Sequence, residues 1–335
     1  MTAAHPAGEA QPIVTLIVPV RDEEAHIEKC LLSIRSQDYP ADRLECIVVD
    51  GDSDDRTVVM VREQMAADPR IRLIDNQQRT MPHGLNLGIQ HAKGSMVGAV
   101  IGHSALPPEY VSRMVELAQG TGAWGVGARI ARVTRGPLHR AIALATSSRI
   151  GVGDSRHNYA QEAEWAETAF PGFWRRDVFD RVGLFDPDME VNEDNELSLR
   201  IRKAGGGIWY EPGIAVEYVP RSSLAGLFHQ YRRYARGKVR VLRKHGGGLR
   251  WRHLVPGLWI AFLVIGSMVG ILAWPAGIAV IGVVAVYLLT IAVAGLRLGG
   301  PDVPWWMVAA SLATLHISYG IGTWQGILEW ILPRR

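Results

Sequence analysis

Short apolar runs alternate with segments of helical periodicity over the first hundred residues. The runs are nearly continuous stretches of apolar residues, as in strands buried on both faces, and the segments between them repeat apolar residues every three or four positions. This pattern predicts an α/β fold with a mostly parallel sheet covered by helices. The predicted strands are IVTLIVPV from Ile13, LECIVVD from Leu44, IRLID from Ile71 and SMVGAVI from Ser95, and the predicted helices span 23–37, 57–67 and 82–92.

The C-terminal part of the chain has a different pattern, because it consists of long apolar segments with almost no polar face. Segments 254–273, 276–296 and 303–323 each have the length of about 20 residues that crosses a bilayer. They are therefore predicted to be transmembrane helices, and several tryptophans near their ends fit interfacial anchors. If all three cross, Arg334 and Arg335 face outward, so a re-entrant or interfacial third segment is the alternative.

A basic segment, 221–253, precedes the first apolar segment and holds ten Arg and Lys but no Asp or Glu. Its part 224–242 is predicted to be an amphipathic helix at the surface of an anionic membrane. By the positive-inside rule this segment lies in the cytoplasm. We therefore expect a multi-pass protein of the inner (plasma) membrane with a cytoplasmic catalytic domain. The expected division is a lead-in at 1–12, a folded domain at 13–220, the basic segment and a membrane region at 254–335.

Composition and missing motifs narrow the function classes. The two cysteines, Cys30 and Cys46, show neither a disulfide framework nor a zinc spacing, which favours a reducing compartment. The first twelve residues lack the basic start and apolar core of a signal peptide. Neither a GxGxxG after the first strand nor a GxxxxGK[ST] occurs, which disfavours dinucleotide oxidoreductases and P-loop enzymes. The formal net charge is only +3, and no nucleic-acid partner is expected.

Carboxylates at two places carry candidate chemistry. Asp50 ends a predicted strand, where it could accept hydrogen bonds from a nucleobase or a ribose, although Asp-Gly after a strand is also an ordinary turn. Glu193, Asp194 and Glu196 open a predicted helix, where they could complement the helix dipole or present one carboxylate as a general base. The residues of this helix expected to face inward are Leu197, Ile201 and Ala204.

Several motifs together carry a resemblance to a known family. The order IVPVRDEEAHIEKCLLSIRSQDYP, LECIVVDGDSDDRT, NEDNEL and QYRRYARGK resembles that of family 2 glycosyltransferases, from about Ile13 to the last apolar segment. The resemblance implies a GT-A nucleotide-sugar fold and sugar transfer with inversion. GVGDS, GFWRRDVFDRVGLFD, YVPRSSL and HISYGIG are similar to the branch that makes lipid-linked exopolysaccharide intermediates, as the succinoglycan glucosyltransferases do.

The resemblance also implies roles for individual residues. Asp50 would bind the uracil or ribose of the donor, and Arg79 would approach its diphosphate. Asp194 would be the general base, with Glu193 beside it. The remaining implied positions are Pro19 and Glu23 at the rim of the donor pocket, and Gln230, Arg233 and Tyr234 in place of the family's Gln-x-x-Arg-Trp element, where Tyr for Trp favours addition of a single sugar.

The metal motif of the family is altered in this chain. The family's Asp-x-Asp, which tends to be Asp-x-His in the similar branch, is here Ile101-Gly102-His103. A divalent ion, manganese or magnesium, is implied as cofactor, and an imidazole suits manganese better than magnesium. Three interpretations stay open: His103 ligates the metal, it donates directly to the leaving diphosphate, or the enzyme is degenerate.

The preferred function is that of an inverting hexosyltransferase in exopolysaccharide or cell-surface glycan synthesis. The donor would be a nucleotide-sugar, expected to be UDP-linked, and the acceptor a polyprenyl-diphosphate-linked sugar at the membrane. One alternative is a polyprenyl-phosphate sugar synthase, in which the lipid phosphate attacks the donor. The other is a non-catalytic homologue that binds a glycan or a lipid.

Overall fold

Four strands form the parallel half of a sheet: β1 (Val14–Val20), β2 (Leu44–Asp50), β3 (Ile71–Asp75) and β4 (Met96–Ala99). The computed structural model describes residues 11–168, 170–248 and 250–332. In it these strands lie in the order β3-β2-β1-β4, and all three pairings are parallel. All four were predicted from the sequence, β4 being shorter than the apolar run that indicated it.

The other half of the sheet consists of β5 (Ser104–Ala105), β6 (Gly125–Arg132), β7 (Glu164–Trp165), β8 (Gly172–Arg175) and β9 (Ile208–Tyr218). In this half three strand pairs are antiparallel: β4 with β8, β6 with β8, and β7 with β9. The order continues from β4 through β8, β6 and β9 to β5, and β7 pairs with β9. Because β8 runs against both β4 and β6, the nine-stranded sheet of the described residues is mixed. The parallel arrangement predicted from the sequence thus holds for the N-terminal strands.

Helices cover both faces of this sheet, as the strand composition requires. Along β1 and β2 alternate side chains enter two apolar clusters, so that Leu16 and Val18 pack with Leu31 of the first helix while Ile17 packs with Ile89 of the third.

The α-helices of the described residues, in chain order and in both parts of the chain, are α1 (Ile27–Arg35), α2 (Thr57–Ala67), α3 (Met81–His91), α4 (Tyr110–Thr121), α5 (Pro137–Thr146), α6 (Arg149–Val152), α7 (Asp177–Val182), α8 (Glu193–Lys203), α9 (Leu224–His245), α10 (Trp251–Leu272), α11 (Trp274–Leu298) and α12 (Trp305–Ile331).

The chain divides into two units, each made of several segments. The first unit, which holds β1–β5, contains Met1–Ile130, Glu162–Asp188 and Leu197–Glu217. The second contains Ala131–Gln161, Met189–Glu196 and Tyr218–Arg335. The domain boundary expected at residue 220 lies close to the last passage of the chain between the units. The short segment 189–196, however, belongs to the unit of the C-terminal helices.

In the second unit α9 packs along α12, and small residues allow the close approach. A Cβ on Gly322 would lie 2.3 Å from the carbonyl oxygen of Arg232, and one on Gly326 would lie 2.8 Å from Cβ of Val239. This spacing of two glycines one turn apart is typical of tightly packed helix pairs. The apolar side of the predicted amphipathic helix is therefore covered by protein over these residues, with Leu227 and Val239 buried.

Two of the three predicted transmembrane segments correspond to helices that are long and apolar enough to cross a membrane. These helices, α10 and α11, expose nearly all of their apolar side chains, whereas the core helix of a soluble protein would bury them. The third segment lies in α12, which is not among the helices of the described residues that are both long and apolar enough to cross a membrane. One face of α12 is buried within the second unit, through Val308, Leu312 and Leu315.

The helix α8 agrees with the prediction except at its end. Leu197 and Ile201 are fully buried in the first unit, as expected from their spacing. Ala204 was expected to face inward with them, but it is exposed because the helix ends at Lys203 and the chain turns there.

Candidate active site

Asp50 stands where three parallel strands end together. It pairs in register with Val20 of β1 and with Asp75 of β3, so the carboxyl ends of these strands are level at one edge of the sheet. Asp50 is 5% exposed, and its carboxylate accepts hydrogen bonds from the backbone N–H (3.1 Å) and the hydroxyl (2.6 Å) of Ser53. Ligands of such sheets bind at this edge, which makes Asp50 a candidate for donor binding.

The loops after β1 and β2 are joined by hydrogen bonds from backbone N–H groups to polar side chains. The N–H of Asp22 donates to the hydroxyl of Ser53 (3.0 Å), and the N–H of Asp54 donates to the carboxylate of Asp22 (2.9 Å). Asp22 and Asp52 have φ values of 55° and 61°, in the left-handed region. Acidic residues of PVRDEE and DGDSDDRT, Asp22 and Asp50 among them, therefore fix the conformation of these two loops through hydrogen bonds.

Two further predicted donor-binding residues lie near the same edge. Arg79 also has a left-handed φ of 59°, and its guanidinium forms an ion pair with Asp52. Its side chain is half exposed. Pro19 lies within β1 opposite Val49, where a Cβ on Gly84 of α3 would be 3.3 Å from its Cβ, so Pro19 is a packing residue of the sheet.

Glu23 and His103 form a hydrogen-bonded pair, which the sequence did not indicate. Nδ1 of His103 lies 2.7 Å from Oε1 of Glu23, and both side chains are only about a fifth exposed (21% and 17%). Gly102 permits the approach, since a Cβ there would be 3.0 Å from Cγ of Glu23. The N–H of Glu23 donates to the hydroxyl of Thr57 at 2.8 Å, which fixes this loop from the other side. Glu23 was predicted to lie at the rim of the donor pocket, and the structure shows in addition that its carboxylate is paired with His103.

The pair sets the chemistry of the altered metal motif. A carboxylate can only accept a hydrogen bond, so Nδ1 of His103 carries the proton and a neutral ring has its lone pair on Nε2. A histidine that ligates a metal commonly donates its other N–H to a carboxylate in this way. Ile101 supplies no ligand, and the described residues contain no group of three or more His, Cys, Asp or Glu side chains that could hold an ion. Within the altered motif Ile101-Gly102-His103, only the side chain of His103 carries an atom that can ligate a metal.

The Glu193–Asp194 pair lies in the second unit, at the start of α8. Burial, and then the charge of Asp194, raise the pKa of Glu193 to about 8, while the nearby Arg233 acts in the opposite direction. A carboxyl group that keeps its proton at neutral pH cannot accept another one. Because the protonated form of Glu193 is favoured, Asp194 is the better candidate for a general base.

The segment 189–196 that carries these acids is bound to α9. Nδ2 of Asn192 donates to the carbonyl of Tyr234 at 2.9 Å, and Arg233 lies 3.9 Å from the carboxylate of Glu190. Nε2 of Gln230 donates to the hydroxyl of Tyr234 at 3.0 Å. The three predicted residues Gln230, Arg233 and Tyr234 thus lie together on α9, where two of them contact the acid-bearing segment.

Both the sequence and the structure are similar to those of known proteins. A family model described as Glycosyl transferase family 2 matches residues 15–183. The succinoglycan biosynthesis protein ExoA of Rhizobium meliloti (strain 1021) is 30% identical over 317 residues, which cover 94% of this chain and 95% of that protein.

One more distant sequence relative and one solved structure are also similar to this chain. A dolichyl N-acetyl-alpha-D-glucosaminyl phosphate 3-beta-D-2,3-diacetamido-2,3-dideoxy-beta-D-glucuronosyltransferase of Methanococcus voltae is 26% identical over 246 residues, 71% of this chain and 76% of that protein. Among solved structures, the mannosyltransferase PcManGT from Pyrobaculum calidifontis, in complex with GDP-Man and Mn²⁺, has a TM-score of 0.63 and 22% identity. The match covers 94% of this chain and 88% of that one.

Proposed function

The chain belongs to glycosyl transferase family 2, and from this we propose that it transfers a hexose, with inversion, from a nucleotide-sugar to a lipid-linked sugar. Family membership confirms the resemblance and the GT-A fold predicted from the motifs. The donor is proposed to be UDP-linked and the acceptor to be linked to polyprenyl diphosphate. The relative named for a dolichyl-phosphate-linked sugar supports a lipid-linked acceptor, and the succinoglycan biosynthesis protein supports a role in glycan synthesis.

The observation that carries the proposal is the pair of adjacent carboxyl groups with different roles. Burial and the charge of Asp194 favour the protonated form of Glu193, and Asp194 takes the proton of the acceptor hydroxyl in this proposal. The hydroxyl oxygen then forms a bond to the anomeric carbon while the bond from that carbon to the donor diphosphate breaks. The electron pair of the broken bond leaves with the nucleoside diphosphate, and the configuration at the anomeric carbon inverts in this single displacement.

The residues of the first unit bind the donor in this proposal. Asp50 accepts hydrogen bonds from the uracil or the ribose, as carboxylates at the ends of parallel strands do in other nucleotide-binding folds. Arg79 approaches the diphosphate. His103 would hold a divalent ion, and such an ion supplies positive charge against the leaving diphosphate. The GDP-Man and Mn²⁺ complex of the similar mannosyltransferase supports a nucleotide-sugar and a metal as ligands of this fold.

Membrane association is part of the proposal. α10 and α11 are long and apolar enough to cross a bilayer, and the rest of the protein buries little of their surface. The basic segment before them favours a cytoplasmic location for the nucleotide-binding unit. A membrane-bound acceptor would then meet the site by diffusion in two dimensions, close to the residues that act on it.

The test compares Asp194→Asn with a control in which an exposed aspartate is changed, Asp188→Asn. Purified full-length protein receives a panel of UDP- and GDP-sugars together with a lipid extract as acceptor. Asp194→Asn should retain UDP binding and lose transfer by about 10²–10⁴-fold, the usual contribution of a general base. Asp188→Asn should transfer at the rate of the unchanged protein. Transfer to added polyprenyl phosphate rather than to a lipid-linked sugar would identify a polyprenyl-phosphate sugar synthase instead.

A further inference from the structure

The helix α9 lies against the acid-bearing segment at a point where only glycine fits. A Cβ on Gly237 would be 2.3 Å from Nδ2 of Asn192 and 3.0 Å from the carbonyl oxygen of Val191. Asn192 itself has a left-handed φ of 62° and donates to the carbonyl of Tyr234. The backbone of the segment is therefore in direct contact with α9 just before Glu193 and Asp194.

Lys238, the residue after this glycine, continues the contact to the candidate base. Its Nζ donates to Oδ1 of Asn195 at 2.6 Å, and Nδ2 of Asn195 lies 3.2 Å from both carboxylate oxygens of Asp194. An ammonium group can only donate and a carboxylate can only accept. The amide of Asn195 is thus oriented by its two neighbours, with its oxygen toward Lys238 and its nitrogen toward Asp194.

A second anchor fixes the same segment on the other side of Asn195. The carboxylate of Glu196 is fully buried and lies 2.7 Å from Nε2 of His245 and 3.6 Å from Nζ of Lys244. Both partners, Lys244 and His245, are at the C-terminal end of α9. With the backbone held at Asn192 and at Glu196, the main freedom left to Asp194 is rotation of its side chain, which the Asn195 amide opposes.

We propose that Lys238 is a positioning residue for Asp194 and acts through Asn195. This inference rests on the proposed function, in which Asp194 takes the acceptor proton. The ammonium holds the amide, and the amide holds the carboxylate in the orientation needed for proton transfer. Lys238 lies in the QYRRYARGK motif, where the resemblance assigned roles to other residues and none to the lysine.

The experiment uses full-length protein with the nucleotide-sugar and lipid extract that support transfer by the unchanged protein. Lys238→Met keeps most of the stem and removes the donor, and Lys238→Arg retains a donor. Arg240→Met is the matched control, because it removes one positive charge from the same helix but from a residue that pairs with Glu329. UDP affinity and thermal midpoint are recorded for each variant.

Lys238→Met is expected to lower kcat about 10- to 100-fold, as misplacement of a reacting group does. The KM for acceptor, the UDP affinity and the thermal midpoint should stay close to those of the unchanged protein. Lys238→Arg should recover much of the rate, and Arg240→Met should have little effect. A raised acceptor KM with unchanged kcat would overturn the proposal and identify Lys238 as a binding group for the anionic lipid.

Double variants separate positioning from a general structural role. If Lys238 acts through Asn195 on Asp194, Lys238→Met with Asn195→Leu should lose no more rate than the more damaging single variant, and Lys238→Met should cost nothing further in Asp194→Asn. Additive losses in either combination would overturn the inference. Near-normal transfer by Asp194→Asn alone would instead overturn the proposed function on which the inference rests.

Discussion

Nδ1 of His103 and Oε1 of Glu23 are 2.7 Å apart although the two residues are eighty positions apart in the chain. If His103 holds the proposed divalent ion, Glu23 orients its imidazole, and an oriented imidazole is a better ligand than a mobile one. Glu23→Gln should therefore weaken Mn²⁺ binding by about tenfold or more, since a neutral amide accepts the Nδ1–H bond less strongly than a carboxylate.

The measurement is the loss of the free Mn²⁺ signal in electron paramagnetic resonance on titration with protein and UDP, which needs no turnover. Glu28→Gln, an exposed glutamate of α1, is the control and should bind Mn²⁺ unchanged. Equal Mn²⁺ affinity of Glu23→Gln and the unchanged protein would exclude Glu23 as the residue that orients His103.

Asp50 and Ser53 allow the nucleotide contact to be separated from the shape of the loop. Asp50→Ala should weaken UDP binding about 10- to 100-fold, the range for a lost hydrogen bond to a charged group. Ser53→Ala removes two hydrogen bonds of the Ser53 hydroxyl, the one it donates to Asp50 and the one it accepts from the N–H of Asp22. The carboxylate of Asp50 is unchanged in this variant. The effect of Ser53→Ala on UDP affinity should be clearly smaller. Isothermal titration calorimetry measures the UDP affinity of both variants. An equal loss of affinity in Asp50→Ala and Ser53→Ala would mean that Asp50 acts only by fixing the shape of the loop.

The raised pKa of Glu193 makes a prediction for stability against pH. The folded protein holds this proton up to about pH 8, whereas the unfolded chain releases it near the ordinary value of 4.5. The unfolded state therefore binds fewer protons between these two values, and the contribution of Glu193 to stability falls as the pH rises through this range.

Glu193→Gln, which is neutral throughout, should show a shallower decline of the thermal midpoint in detergent between about pH 5 and about pH 8. Glu190→Gln is the control, because its side chain belongs to the same segment and is exposed (59%). Parallel midpoint curves for the unchanged protein and Glu193→Gln would contradict the assignment of a proton to Glu193.

The glycines of α12 predict where the helix pair cannot tolerate a larger residue. Gly322→Ala places a methyl group 2.3 Å from a backbone oxygen of α9, which cannot move away as the end of a side chain could. Overpacking of this kind costs about 1–3 kcal/mol. Gly282→Ala in α11, where nothing lies within 4 Å, is the matched control. A lower thermal midpoint is expected only for Gly322→Ala, and equal midpoints would contradict the packing.

Local patterns of the sequence predicted the elements well and the contacts poorly. The strands β1 to β4 follow from apolar runs because both faces of a parallel sheet are buried, and Leu197 and Ile201 follow from helical spacing. Ala204 was misplaced because the helix end, which is set by a turn, comes one residue earlier. α12 resembled the two apolar helices in its sequence, yet tertiary packing on α9 covers one of its faces.

The candidate site was predicted as separate residues rather than as contacts. Asp50 and Asp194 were indicated by their places at the end of a strand and the start of a helix. The Glu23–His103 and Lys238–Asn195 contacts join residues 80 and 43 positions apart, and no local period relates such positions. The motif QYRRYARGK contained Lys238, so the signal was present, but its meaning required the geometry of α9.

The assignment of segment 189–196 to the unit of the C-terminal helices bears on how this protein could be recombined with its relatives. A chimera joined once at residue 217 would take Asp194 from one parent and α9, which fixes it, from the other. Each parent's segment would then meet a foreign helix at Gly237 and Lys238. A chimera that exchanges the first unit should therefore take residues 189–196 from the parent that supplies the C-terminal helices. These eight residues then form a short insert within the exchanged unit.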